Sequence, residues 1–244
     1  MAGRVRMGLR LAAMLGWFLL CVPLFYAWRL AGPHNPWPRR FLGGIATIAG
    51  VALKTRGQRP SGGEFLLANH VSWIDIPAIA ATSGAAFVAH DGLAGVPFVR
   101  WLCRMNRTVF VARHDRASVH LQVEHVRAAV MDAGALAIFP EGTTSDGTGL
   151  LAFKSSLLSA LDPPPPGVAV QPVLLDYGAE AADIAWVGAE PGLANFLRIL
   201  SRRSKVELTV HFLEPLTGEA LANRKTMAAA ARAEILSVLE AKAD

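Results

Sequence analysis

The chain has 244 residues, 52% of them hydrophobic and only 18% charged, and it carries a net charge of +5. That length accommodates one domain with a substantial core plus an appended segment, and the composition is greasy for a soluble enzyme. Its two cysteines, Cys21 and Cys103, give neither a disulfide framework nor a metal-ligand spacing, so a reducing compartment is expected.

The charge is unevenly placed. Residues 1–63 hold nine of the 24 basic residues and no Asp or Glu, whereas the rest of the chain carries 15 basic against 19 acidic residues. A basic, apolar segment with no basic–aromatic surface downstream suits an anionic membrane and argues against nucleic acid. Residues 11–28 form an uncharged run at the lower limit for crossing a bilayer of roughly 30 Å. Arg4, Arg6 and Arg10 precede it, no small-x-small cleavage site closes it, and it is expected to be retained. Pro23 should kink or break a helix there. A second apolar stretch, 41–53, is too short to span. It follows Pro33, Pro36 and Pro38, so two helices joined by a proline-rich turn can lie in the interface with their arginines among head groups, the alternative being one ordinary signal anchor. Basic residues flank both sides, which leaves spanning and interfacial docking both open.

From Glu64 onward, strand and helix patterns alternate. Strands are predicted at 64–68, 85–89, 108–112, 135–139, 168–175, 183–187 and 205–212, several as continuous apolar runs typical of strands buried on both faces. A helix over 115–132 places Val119, Val123, Val126 and Val130 on one stripe and stops at Gly134. The last segment repeats the pattern with Met227, Ala231, Ile235 and Val238. Prolines 163–166 end a helix near Leu161. Strands alternating with helices give an α/β sheet covered by helices.

Two strand ends carry chemistry. In Asn69-His70-Val71-Ser72-Trp73-Ile74-Asp75, a histidine and a carboxylate stand five residues apart where a strand gives way to a helix. An imidazole near pH 7 can take a proton from a hydroxyl, and a carboxylate on its other nitrogen fixes the tautomer. Ser72-x-x-Asp75 also fits a capping box, so Asp75 has a purely structural alternative. Phe139-Pro140-Glu141-Gly142-Thr143-Thr144-Ser145 is a turn in which Gly142 permits close backbone approach. The histidines 114, 120 and 125 with Glu124 lack a ligand spacing and are read as solvated. No nucleophile elbow and no glycine-rich nucleotide loop is present.

These two blocks, in this order, resemble the glycerophospholipid acyltransferase family, whose bacterial members acylate lysophosphatidic acid and related lysolipids. The resemblance covers roughly 64–215. It implies a mixed, largely buried sheet of the glycerolipid acyltransferase fold, with a membrane-anchoring segment at 1–63 and a catalytic domain at 64–244. It implies that His70 and Asp75 are the catalytic dyad, and that Asn69, Arg113, Glu141, Gly142, Thr143 and Thr144 serve the acceptor. Arg113 ends the block Arg107-Thr108-Val109-Phe110-Val111-Ala112-Arg113, where Arg107 and Ala112 depart from the usual glycine and aspartate. Thr144 replaces a frequent arginine. Ser145-Asp146-Gly147 with Phe153-Lys154-Ser155 is similar to the lyso-ornithine lipid acyltransferase branch, in which Lys154 can supply the missing charge; a solvated lysine is the other reading. Val170-Gln171-Pro172-Val173 matches a short Val-x-Pro element, with Pro172 marking an edge or bulge.

The expected activity is acyl transfer from a thioester, carried by acyl carrier protein or coenzyme A, onto a lysolipid hydroxyl. Lysophosphatidic acid is the leading acceptor and lyso-ornithine lipid the alternative. No metal and no further cofactor are implied. Membrane lipids are the expected partners, at the inner membrane with the site facing the cytoplasm. A lipid hydrolase or thioesterase, or a non-catalytic lipid-binding protein, are the rival classes.

Overall fold

The computed structural model describes residues 1–32, 35–90, 95–111, 127–130, 132–162 and 164–242. Its centre is a seven-stranded sheet in the order β1-β7-β6-β2-β5-β3-β4. The strands are β1 (Val51–Arg56), β2 (Glu64–Ala68), β3 (Ala86–His90), β4 (Val109–Val111), β5 (Ala135–Ile138), β6 (Ala169–Asp176) and β7 (Val206–Phe212). All neighbours run parallel except β6 and β7. Parallel pairing needs cover on both faces, and two buried clusters supply it. Leu66, Ala68, Ala135 and Ala137 join one, while Phe65, Leu67, Leu136 and Ile138 join the other.

The helices are α1 (Ala2–Trp28), α2 (Trp37–Ala49), α3 (Asp75–Ser83), α4 (Pro97–Met105), α5 (Gly192–Ser201) and α6 (Arg224–Glu240), with a 3₁₀ segment at Ser155–Leu161. Helix α6 starts at a capping box of Asn223 and Thr226 and buries Met227, Ala228, Ala231 and Ile235. Most of the helix expected over 115–132 lies outside the described residues; Val130 is buried and Gly134 has φ +79°.

Four expectations are corrected. First, α1 continues through Pro23, because tertiary contacts hold both flanks. Phe18 packs on Phe41, Phe98 and Trp101, and the Asn35 amide donates to the Phe25 carbonyl at 2.9 Å. Second, the stretch 41–53 is not one interfacial helix: it divides at Gly50 into the end of α2 and the edge strand β1, so the sheet begins at residue 51 rather than 64. Third, residues 183–187 form no strand. Ala181–Ile184 is one helical turn, and beyond it the Trp186 N–H bonds the Val71 carbonyl at 2.9 Å; strand propensity without a partner strand does not decide the conformation. Fourth, Pro172 sits in a central strand. The β6–β7 ladder proper runs from Val173 onward, and just past it the Pro172 carbonyl still accepts from the Leu213 N–H at 3.0 Å, so only the proline's own missing N–H is lost to that side.

Three of the five arginines of α1 and α2 also differ from expectation, while Arg4 and Arg40 remain exposed. Arg6 donates to the Ser201 carbonyl at 3.2 Å, and Arg10 to the Leu200 and Arg202 carbonyls at 3.0 and 3.2 Å. They satisfy the free carbonyls at the end of α5 and complement its dipole. Arg39 does the same for α3, donating to the Ala81 carbonyl at 3.0 Å. These side chains act as helix caps within the protein rather than as head-group ligands. Gly50 makes the first arrangement possible: its φ is +91°, and a Cβ there would lie 2.3 Å from an Arg10 nitrogen. Gly50→Ala is expected to cost at least about 1–2 kcal/mol from the left-handed backbone alone. Thermal unfolding checks this, with a Tm lowered by several degrees; an unchanged Tm would contradict the left-handed conformation at residue 50.

Candidate active site

The site lies where the parallel strands end, the edge at which open α/β sheets bind ligands. The β2–β6 backbone ladder reaches Ala68 opposite Val173. Asn69 then extends it with its side chain, accepting from the Leu175 N–H at 2.7 Å and donating to the Leu175 carbonyl at 3.1 Å. It is 3% exposed, so its amide anchors the chain directly before His70.

His70 Nδ1 lies 2.7 Å from Asp75 Oδ2. The same oxygen accepts from the backbone N–H groups of Val71 and Ser72 at 2.6 and 2.9 Å. Its partner Oδ1 accepts from the Tyr177 hydroxyl at 2.5 Å. Asp75 is fully buried at the first turn of α3, where the helix dipole favours its charge. Of the two roles the sequence offers Asp75, the pairing with His70 is present, whereas the capping box is only half formed. Asp75 accepts from the Ser72 N–H, but the buried Ser72 hydroxyl has no hydrogen-bond partner among the described residues and α3 starts without a side-chain cap. With Nδ1 bonded to the carboxylate, Nε2 is the nitrogen free to accept a proton. The ring stacks on Phe139 at 4.1 Å between centroids.

The second block is bonded to the first. Glu141, 1% exposed, accepts from the His70 N–H at 2.7 Å through Oε1 and from the Leu151 N–H at 2.9 Å through Oε2. Burial pushes its carboxyl above the usual carboxylate range, against the pull of those two backbone donors. Ser145 donates to the His70 carbonyl from both its N–H (2.7 Å) and its hydroxyl (3.1 Å). The Thr144 hydroxyl donates to the Trp186 carbonyl, so the residue at the frequent arginine position closes a loop. Gly142 has φ +70°, and a Cβ on it would stand 3.1 Å from the Lys154 ammonium. Lys154 thus reaches over the turn while remaining exposed, as is Thr143. Arg113 and the histidines at 114, 120 and 125 lie outside the described residues.

An apolar cavity of about 160 Å³ lies one side chain away from this site: it is walled by Phe18, Cys21, Phe41, Ile76, Phe87 and Leu102 among others, while His70, Asp75 and Phe139 do not line it. Ile76 follows the buried carboxylate directly, and Phe87 stacks toward Phe139 at 6.2 Å. Both cysteines line it, and burial raises both thiols. Residues 170–173, the Val-x-Pro element that the family resemblance puts near the acyl-binding region, do not line this cavity.

Sequence reasoning missed Tyr177. Its signal is its place at the end of the strand next to β2, which only the strand order reveals. Burial and the neighbouring Asp75 carboxylate hold its phenol well above 10.0.

Together these features define a class: an α/β protein with a histidine–carboxylate pair at its strand ends beside an apolar cavity. The crystal structure of 1-acyl-sn-glycerophosphate acyltransferase PlsC from Thermotoga maritima shares the fold, with a TM-score of 0.66 over 97% of each chain at 20% identity. The acyltransferase family model matches residues 51–176. Lyso-ornithine lipid O-acyltransferases of Rhodobacter capsulatus and Brucella abortus are 31% and 29% identical, over 97% and 98% of this chain and 91% and 96% of their own. The chain belongs to the acyltransferase family and is an acyltransferase.

Tyr177→Phe removes a donor from a buried carboxylate and should cost about 1–3 kcal/mol in urea unfolding. Because the folded phenol titrates above its unfolded value, its contribution is intact below pH 10 and declines as pH rises beyond it. The gap between wild type and variant should therefore narrow on the alkaline side. A gap constant to pH 11 would contradict the buried bond.

Proposed function

We propose that the protein transfers a fatty acyl group from a thioester to the free hydroxyl of a lysolipid, with His70 as general base. The observation that carries this reading is the His70–Asp75 pair at 2.7 Å beside an apolar cavity. His70 Nε2 takes the hydroxyl proton, the oxygen attacks the thioester carbonyl, and the carbon–sulfur bond breaks. The departing thiolate then takes the proton back from the imidazolium. Asp75 holds the tautomer and supports the transient positive charge. The cavity suits the donor's hydrocarbon chain.

For the acceptor, lyso-ornithine lipid is the reading favoured here over lysophosphatidic acid. Two things support it: the names of the relatives that align over nearly the whole chain, and the use of Thr144 in a loop contact, which leaves no cation at that position. Lys154 over Gly142 suits a single carboxylate of the head group. Asn69, with both ends of its amide bonded, is assigned to positioning His70, and Glu141 to joining the two blocks. Gly142 and Thr143 form the acceptor turn.

We read α1 as lying in the membrane interface. It is the one described helix long and apolar enough to cross a bilayer, yet it is fastened to the protein along its length. Arg6 and Arg10 hold α5, the Trp17 indole donates to the Phe41 carbonyl at 3.1 Å, and Tyr26 bonds Trp101. Its opposite face exposes Val5, Leu9, Leu15, Leu19 and Leu20, as expected of a helix lying on a bilayer. The inner membrane and a thioester of acyl carrier protein or coenzyme A complete this reading.

The test offers purified protein a labelled acyl thioester with each lysolipid in turn. His70→Ala should lower transfer by about 10²–10⁴-fold, and retained activity would refute the general-base role. Faster turnover of lysophosphatidic acid than of lyso-ornithine lipid would reverse the acceptor assignment.

A further inference from the structure

Arg6, Arg10 and Arg39 are engaged in capping helices, which leaves Arg4 and Arg40 as the exposed cations of α1 and α2 outside those caps and makes further basic groups on the apolar side of the molecule significant. Helix α4 has the required features. Residues 95–111 contain Arg100, Arg104 and Arg107 and no Asp or Glu. Arg107 pairs with Asp132 at 3.5 Å; Arg100 and Arg104 are exposed and make no hydrogen bond or ion pair among the described residues. At the start of the same helix, Val96 and Phe98 are 53% and 56% exposed. Large apolar side chains left this open, one turn from unpaired guanidinium groups, match an interfacial helix with its apolar residues among acyl chains and its cations among phosphates.

The face is continuous with that of α1. Phe98 and Trp101 pack on Phe18 of α1 at 5.9 and 5.8 Å, and the Trp101 indole donates to the Tyr26 hydroxyl at 2.9 Å. Leu15, Leu19 and Tyr26 of α1 are exposed alongside, and aromatic side chains of this type collect at the membrane–water boundary. We propose that α4 is a second membrane-docking element, and that Arg100 and Arg104 bind anionic head groups while Val96 and Phe98 insert between the lipids. This rests on the interfacial reading of α1 and adds to it the source of lipid-charge selectivity. The exposed apolar pair is what favours a bilayer over an acidic carrier protein as the occupant.

The test is flotation of the full chain with vesicles of pure phosphatidylcholine and of an equal mixture with phosphatidylglycerol. Arg100→Gln with Arg104→Gln should weaken binding to the anionic vesicles about 30-fold, at about 5-fold per arginine, and leave binding to the neutral ones unchanged. Val96→Ser with Phe98→Ser should weaken binding to both by about 10-fold or more. The arginine variant should keep the wild-type Tm, since both guanidinium groups are exposed, whereas Phe98→Ser also gives up its contact with Phe18 and should lower Tm slightly without unfolding the protein. If wild type binds and both variants match it, the inference about α4 is overturned while α1 stands. If wild type itself fails to bind either vesicle, the interfacial reading of α1 falls first. If vesicle binding is unchanged but the arginine variant raises KM for an acyl carrier protein thioester alone, the surface belongs to the carrier and the inference is overturned.

Discussion

A single carboxylate with no solvent exposure organises this molecule. Burying a charge is costly unless donors replace water, and Asp75 receives four: the His70 imidazole, two backbone N–H groups and the Tyr177 hydroxyl. Those donors come from the turn after β2 and the end of β6, while the acid opens α3. Three pieces of chain are thereby fixed about one pair of oxygens. The histidine is held from behind as well, by Asn69 on one side and by Glu141 and Ser145 on the other. Its backbone has little freedom, and its ring presents Nε2 from a fixed plane against Phe139.

Much of this was legible in the sequence, and the reasons are local. Apolar-rich runs located six of the seven strands, several of them continuous because strands buried on both faces need no alternation. The strand β1 escaped because its run begins inside an apolar stretch shared with α2, and only the left-handed Gly50 separates them. The false strand at 183–187 shows the converse error: β-favouring residues whose backbone bonds at scattered points, to Val71, Thr144, Asn195 and Arg198, rather than to a partner strand. Motif spacing could place His70 and Asp75 on adjoining turns. It could not disclose that Tyr177, more than a hundred residues on, would complete the carboxylate's shell, since that depends on β6 lying beside β2.

Loop closure was equally hidden. Thr144 stands where a charge is frequent, and from sequence it suggested an altered acceptor pocket. In the structure its hydroxyl holds the Trp186 carbonyl, while the Trp186 indole donates to the Glu190 carbonyl at 2.8 Å. Glu190 is in turn gripped by Arg198 and Asn195 from α5. The turn after β5 is thus braced against a helix that also receives Arg6 and Arg10. Local propensity carries no trace of such a chain of contacts, which arises from tertiary packing.

That α1 is pinned to α5 by guanidinium–carbonyl bonds has a topological consequence. A helix tethered by a flexible linker would let the catalytic pair sample a range of heights above a lipid surface. A helix riveted to the domain makes one rigid body, so its docking depth also sets the depth of His70. In the interfacial arrangement proposed above, such an enzyme would act on hydroxyls at one level of one leaflet. Its product would accumulate on that side, and supplying the opposite leaflet would become the task of a separate lipid-translocating protein.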